Sequence, residues 1–199
     1  MSNFKPNLPK ENAKIVVMST NNKELVKRVE ELGVKVLSSE NLSKLLTFEQ
    51  YHTDLQFLHY NKDTVFVLKE CTGLKENLKK YIPNVIEISK NVDKNYPNNV
   101  MLNCVVLNDK LICNTKTIAD EVLQMAIKDN LKIINVNQGY TKCSTCIVNE
   151  NAIITSDKSI YNSCRNEMDV LLIRQGYIEL PGTDYGFIGG SSFKYNRNT

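Results

Sequence analysis

LNCVVLNDKLICNTKTIADEVLQMAIKDNLKIINV, residues 102–136, is the stretch that decides the fold of this chain. Two short apolar strands flank a turn at Asn108-Asp109, where Asn and Asp tolerate the backbone of a tight hairpin. An amphipathic helical pattern follows over Ile118–Lys128, and Leu131–Val136 reads as a closing strand. The order is therefore strand, strand, helix, strand.

The same order recurs on both sides of this stretch. It is found in Leu55–Ser89 and again in Cys143–Leu180, where we expect a helix over Ile160–Gln175 and a closing strand at Tyr177–Leu180. A strand, helix, strand segment precedes these units. A further hairpin is predicted to begin in Phe187–Phe193 and to turn at Asn196–Asn198.

The repeats predict one α/β domain built as a propeller of ββαβ units with pseudo-fivefold symmetry, because each unit leaves an apolar face that its neighbours must cover. Closing the ring also removes free sheet edges. The last unit is expected to be incomplete, as if truncated. A flexible N-terminal segment at 1–13 precedes units at roughly 14–50, 51–99, 100–142, 143–181 and the incomplete 182–199.

Composition narrows the function classes. The 199 residues are 42% hydrophobic and 24% charged, with a net charge of +3 that is spread along the chain, which favours an ordinary globular domain. Nothing in this pattern predicts binding to nucleic acid or membranes, or a cofactor. The polar start lacks the features of a signal peptide, so a cytoplasmic location is expected.

Six cysteines in such a chain should stay reduced. Cys104, Cys113 and Cys164 lie in apolar or mixed patterns and read as buried thiols. Cys143 and Cys146 form a single C-x-x-C pair, which lacks both the second pair of a zinc site and the strand-to-helix context of a thioredoxin motif. Two thiols on a buried strand are the simpler interpretation.

The triplet His52-Thr53-Asp54 is the first chemical landmark. If the segment is extended, His52 and Asp54 face the same side. A surface turn with an exposed His52 remains the alternative. Repeat equivalence adds Asn21 and Asn103 as residues that line a central pocket.

Three segments carry a resemblance to a known family: YHTDLQF (51–57), NQGYTKCSTCIVNENAIITSD (137–157) and GTDYGFIGGSS (182–192). Together with the repeats, they resemble a clostridial-type branch of the guanidino-group-modifying enzyme (pentein) superfamily. That superfamily includes arginine and agmatine deiminases, dimethylarginine hydrolases and amidinotransferases. The resemblance covers most of the chain and implies a fivefold ring and a small guanidino or amide ligand.

The resemblance also implies roles for particular residues. His52 would shuttle protons, Asp54 would bind the substrate or orient the imidazole, and the Gly189-Gly190-Ser191 segment would occupy the strand that carries the nucleophile. That segment contains no cysteine, so we expect no useful hydrolysis of arginine, agmatine or methylated arginines. Cys143, which opens the fourth unit where His52 opens the second, is the substitute nucleophile to test.

Three functions therefore remain open. The first is a pentein-type protein that acts on a small guanidino or amide compound. The second is a non-catalytic pentein used as a binding scaffold, and the third is a degenerate copy without activity. The edge left by the incomplete unit also makes a homodimer plausible.

Overall fold

A computed structural model of the chain describes residues 6–107 and 109–199, so Asn108 and the first five residues of the N-terminal segment lie outside the described residues. The described ranges contain eleven strands and five helices, and the strands form one two-stranded and three three-stranded sheets. The chain therefore has the mixed α/β class that the sequence predicts, with helices and strands alternating along it.

The first unit is a parallel strand pair joined by one helix. It consists of β1 (Ile15–Met18), α1 (Lys23–Glu31) and β2 (Lys35–Ser38). The side chain of Asn22 accepts a hydrogen bond from the backbone N–H of Leu25 and so caps the helix. No strand precedes this unit within the described residues, in agreement with the predicted order.

The next two units have the predicted order of strand, strand, helix, strand. A single helical turn, α2 (Thr53–Gln56), precedes β3 (Phe57–Asn61), β4 (Thr64–Leu68), α3 (Thr72–Leu78) and β5 (Asn84–Ile88). The third unit contains β6 (Val105–Leu107), β7 (Lys110–Cys113), α4 (Asp120–Lys128) and β8 (Lys132–Asn135). In both units the hairpin is antiparallel and the closing strand pairs in parallel with the second strand.

The fourth unit has the predicted order, but two of its predicted boundaries are wrong. Its elements are β9 (Thr145–Asn149), β10 (Ala152–Thr155), α5 (Lys158–Cys164) and β11 (Asp169–Leu172). The helix predicted over Ile160–Gln175 ends at Cys164, because a turn there lets the following apolar residues pair in parallel with β10. The predicted closing strand at Tyr177–Leu180 is instead irregular.

The hairpin predicted within residues 187–198 is not formed. Described residues after Leu172 contain neither strand nor helix, although Asn196 accepts the backbone N–H groups of Asn198 and Thr199 in a tight turn. The segment lies beside the first unit instead, where the backbone N–H of Ala13 donates to the carbonyl of Tyr195 at 2.7 Å. The two ends of the described chain are therefore close together.

Two apolar clusters hold the units against one another. The larger one joins the first three units, and Phe66 at its centre is fully buried. The smaller one joins the third and fourth, with Val105 and Ile153 both inside it. This packing brings the loops that enter the second, third and fourth units together at one place.

Candidate active site

The centre of the candidate site is a cysteine beside a histidine from another unit. His52 precedes α2 and lies at the entrance to the second unit, whereas Cys143 lies in the turn directly before β9. Their side chains meet with 2.9 Å between His52 Nε2 and Cys143 Sγ. The two residues are 91 positions apart in sequence, so only the packing of the units brings them together.

Asp54 also lies close to this sulfur, but the backbone that positions it is not the predicted extended segment. Residues from Thr53 onward form the helical turn α2 rather than an extended segment, so the expected two-residue alternation does not apply. Asp54 Oδ2 nevertheless lies 4.0 Å from Cys143 Sγ and 3.8 Å from Lys142 Nζ. Because Lys142 and Cys143 are in a turn, their side chains point toward one carboxylate instead of to opposite faces.

Asn103, from the segment entering the third unit, fixes the position of this cysteine. Its side-chain oxygen accepts the backbone N–H groups of Lys142 at 2.8 Å and Cys143 at 3.2 Å. Its amide nitrogen donates to Cys143 Sγ at 2.9 Å and to the carbonyl of Asp54 at 3.2 Å. Since the oxygen is held by two N–H donors, the NH₂ group must face the sulfur.

The Gly-Gly segment packs directly against the turn that carries Cys143. The backbone N–H of Gly190 donates to the carbonyl of Cys143 at 3.0 Å. A β-carbon at Gly189 would overlap the carbonyl oxygens of Lys142 and Thr145, and one at Gly190 would lie 3.1 Å from the His52 ring. At Gly189 only glycine allows this close approach, so this residue lets the terminal segment pack against the turn that carries Cys143.

A cavity of about 420 Å³ opens beside His52 and Cys143. More than half of its lining residues come from the irregular segment 178–191, including the aromatic rings of Tyr185 and Phe187. The acidic residues Glu49, Glu179 and Asp184 are also among the lining residues, and no Lys or Arg is among the described residues of its wall. Aromatic walls with acidic groups suit a planar cation.

A buried acidic network supports one side of this cavity. Glu49 Oε1 accepts hydrogen bonds from the Tyr140 hydroxyl at 2.5 Å and from the Asn99 amide at 3.1 Å. Glu49 is only 4% exposed, and its second carboxylate oxygen has no hydrogen-bond partner among the described residues. Sequence reasoning missed all three residues, because single polar residues in loops give no pattern that links them.

The surroundings of Cys143 keep its thiol neutral in the ligand-free protein. Burial raises the pKa of the Cys143 thiol, and the neighbouring Asp54 carboxylate raises it further. The Asn103 amide and the Lys142 ammonium oppose these effects without outweighing them. A thiolate here therefore needs an added positive charge or the transfer of its proton to His52.

The remaining predicted residues divide into two groups. Gly189, Gly190 and Ser191 lie at the site, and the Ser191 hydroxyl donates to the carbonyl of Ile188. Asn21 is exposed in the loop before α1 and is absent from the described lining of the cavity. The repeat equivalence of Asn21 and Asn103 therefore does not extend to the site, because the first unit lacks the leading hairpin.

The other cysteines are free thiols. Cys104, Cys113 and Cys164 are buried, as their sequence patterns predict, and burial raises the pKa of each. Cys146 is half-buried in β9, where it pairs with Ile154, and Cys143 precedes that strand in a turn. Only Cys143, of the described cysteines, makes a hydrogen bond to a histidine.

Comparison with protein families places the chain in a family without an assigned activity. The profile described as "Family of unknown function (DUF6873)" matches residues 16–199, so the chain belongs to that family. A search of the curated proteins finds no match to this chain. The site must therefore be interpreted from its own chemistry.

No helix within the described residues is both long enough and apolar enough to cross a membrane.

Proposed function

We propose that this protein binds a small planar guanidino or amidine cation, or a related amide, and attacks its central carbon with Cys143. The contact of 2.9 Å between Cys143 Sγ and His52 Nε2 at the cavity wall carries this proposal. A thiol within hydrogen-bonding distance of a base is the arrangement that thiol nucleophiles use. The acidic lining of the cavity favours a cationic ligand.

The fold proposed to hold this site is the pentein ring. Three consecutive ββαβ units and a leading βαβ segment support it. The contact between Tyr195 and Ala13 also supports it, because it joins the terminal segment to the first unit as ring closure requires. The segment 173–199 would occupy the fifth position without forming a sheet.

In the first chemical step, binding of the cation next to Cys143 stabilises the thiolate and offsets the effect of the Asp54 carboxylate. The thiol proton moves to His52 Nε2, and Sγ forms a bond to the central carbon of the ligand. His52 then returns this proton to the departing nitrogen, and the carbon–nitrogen bond breaks. Ammonia or an amine leaves, and the carbon remains attached to sulfur.

In the second step, water enters the space left by the amine. His52 accepts a proton from this water, whose oxygen attacks the carbon bound to sulfur. The carbon–sulfur bond breaks, and the thiolate recovers a proton from His52. The product loses the remaining proton on its oxygen to solvent and leaves as a carbonyl compound. The sum is one cationic ligand and one water converted to one neutral carbonyl product and one protonated amine. Asp54 accepts N–H groups of the ligand throughout.

The alternative is a binding scaffold without turnover. The raised pKa of Cys143 and its exposure of only 1% favour this function, as does the absence of cysteine from 182–199. A guanidino ligand would then bind in the same cavity, with Asp54 and the lining carboxylates as its partners.

Product release by the purified protein distinguishes the two functions. Arginine, agmatine, methylated arginines and simple amidines are incubated with the wild type, and ammonia, amine and citrulline are measured. The sequence alone predicts no useful hydrolysis of these compounds, because residues 182–199 contain no cysteine. The contact between His52 and Cys143 leads the proposal to predict turnover instead. This turnover should be lost in Cys143→Ser and His52→Ala and retained in Cys146→Ser, a matched thiol outside the site. Melting temperatures raised by these ligands without turnover would instead support the scaffold.

A further inference from the structure

The residues proposed to act in catalysis also form a group of possible metal ligands: His52, Asp54 and Cys143. One ligand atom from each lies within 4.8 Å of the other two: an imidazole nitrogen, a carboxylate oxygen and a sulfur. These are the three donor types that zinc takes from proteins. Glu179 and Asp184, two other acidic residues that line the cavity, belong to the irregular segment 178–191.

The distances require only small adjustments to accept a metal ion. Tetrahedral zinc with ordinary bond lengths sets ligand atoms about 3.3–3.6 Å apart. The Cys143 Sγ to His52 Nε2 distance of 2.9 Å must lengthen, and the Sγ to Asp54 Oδ2 distance of 4.0 Å must shorten. Rotation of side chains achieves both, and the cavity beside Cys143 leaves room for water as a fourth ligand.

We infer that His52, Asp54 and Cys143 form a three-ligand site for Zn²⁺ or another borderline-soft divalent cation, and that the bound ion blocks the Cys143 thiol. The binding stands on the geometry alone, whereas the inhibition rests on the proposed function. On binding, Sγ forms a bond to the metal and its proton leaves to the buffer, so no oxidant or reductant is involved. Mg²⁺ and Ca²⁺ prefer all-oxygen sites and should not compete.

Lys142 opposes this binding in the metal-free protein. Its ammonium lies 3.8 Å from Asp54 Oδ2, the same oxygen that faces the sulfur. A divalent cation must displace this contact, and it also experiences repulsion from the ammonium. Removing the charge should therefore tighten metal binding, which is the opposite of what removing a ligand does.

The test is titration of chelator-treated protein with Zn²⁺ by calorimetry, and with Co²⁺ by absorption spectroscopy. Wild type and Cys146→Ser should bind one ion, with a thiolate-to-cobalt charge-transfer band. Cys143→Ser should lose the band, and its affinity and that of His52→Ala should fall by more than the about 10–100-fold typical of outer-sphere changes. Lys142→Met should bind more tightly than wild type.

A second measurement needs no variant. Zn²⁺ should slow alkylation of Cys143 in the wild type, as followed by peptide mass spectrometry, and Mg²⁺ should not. Equal zinc affinity in wild type and Cys143→Ser, a charge-transfer band that survives in Cys143→Ser, or unchanged alkylation would each overturn the inference. These readouts do not require turnover, so an active enzyme that binds no zinc contradicts only the metal site, and a zinc-binding protein without turnover contradicts only the proposed function.

Discussion

At the scale of single residues, one buried amide organises the candidate site. Asn103 is only 1% exposed, and it satisfies two backbone N–H groups with its oxygen while its nitrogen contacts the Cys143 sulfur. The donor stabilises a thiolate, and the acceptor fixes the turn that carries it. The sequence predicts that Asn103 lines a central pocket. It does not predict the hydrogen bonds of Asn103, because their partners Lys142 and Cys143 are about 40 positions away in sequence.

The substitution Asn103→Asp would remove the hydrogen-bond donor to sulfur and keep the acceptor for the backbone N–H groups. The carboxylate keeps the acceptor for Lys142 and Cys143 but replaces the donor to sulfur with a negative charge. The pKa of Cys143 should rise further, so alkylation by iodoacetamide should slow by about tenfold for each unit of that rise. The pH profile of alkylation should shift to higher pH.

The control for this change is Asn114→Asp, a buried asparagine whose amide donates to the carbonyl of Asn137. It should leave the alkylation profile of Cys143 unchanged. An unchanged profile in Asn103→Asp, with the fold intact by circular dichroism, would show that the amide does not act on the sulfur.

At the scale of elements, local signals predict most of the fold. Turn residues lie between β3 and β4 and between β9 and β10 in both hairpins, and Asp157 caps α5 by accepting the backbone N–H of Ile160. The prediction fails after Cys164, where Val170 and Leu171 suit a helix or a strand equally. Pairing with β10 decides in favour of the strand, and no local pattern contains that information.

A substitution in the terminal segment would show whether its packing affects stability and the accessibility of Cys143. Gly189→Ala would place a methyl group against the carbonyl oxygens of Lys142 and Thr145. The segment must move away, at a cost of about 1–3 kcal/mol in the free energy of unfolding, typical of overpacking. Thermal unfolding should shift downward, and Cys143 should react faster with a bulky alkylating reagent.

Gly73→Ala is the matched control. Gly73 lies in α3, and a β-carbon there would meet Glu40 at 3.4 Å, an ordinary contact. This variant should be as stable as the wild type or slightly more stable, because alanine favours a helix. If Gly189→Ala behaves in the same way, the close packing of the terminal segment on the site is wrong.

At the scale of the whole molecule, the site exists only because the second, third and fourth units each bring a residue to Cys143 or supply it. Repeat equivalence predicts His52, Asp54 and Cys143 as candidates, since each lies where a unit begins. Glu49, Tyr140 and the acidic cavity wall could not be predicted, because they come from loops whose positions the repeat does not fix. The acidic character of the cavity is therefore known only from the structure.

The central claim is that this cavity delivers a planar cation to Cys143. Chloroacetamidine, which carries an amidinium, and chloroacetamide, its neutral counterpart, are compared as alkylating agents by intact-mass and peptide mass spectrometry. Each rate is normalised to the rate with N-acetylcysteine. The account predicts that the amidinium reagent modifies Cys143 faster by about tenfold, equivalent to about 1.4 kcal/mol, and that His52→Ala and Asp54→Asn lose most of this preference. Equal normalised rates, or a preference that persists without Asp54, would contradict it.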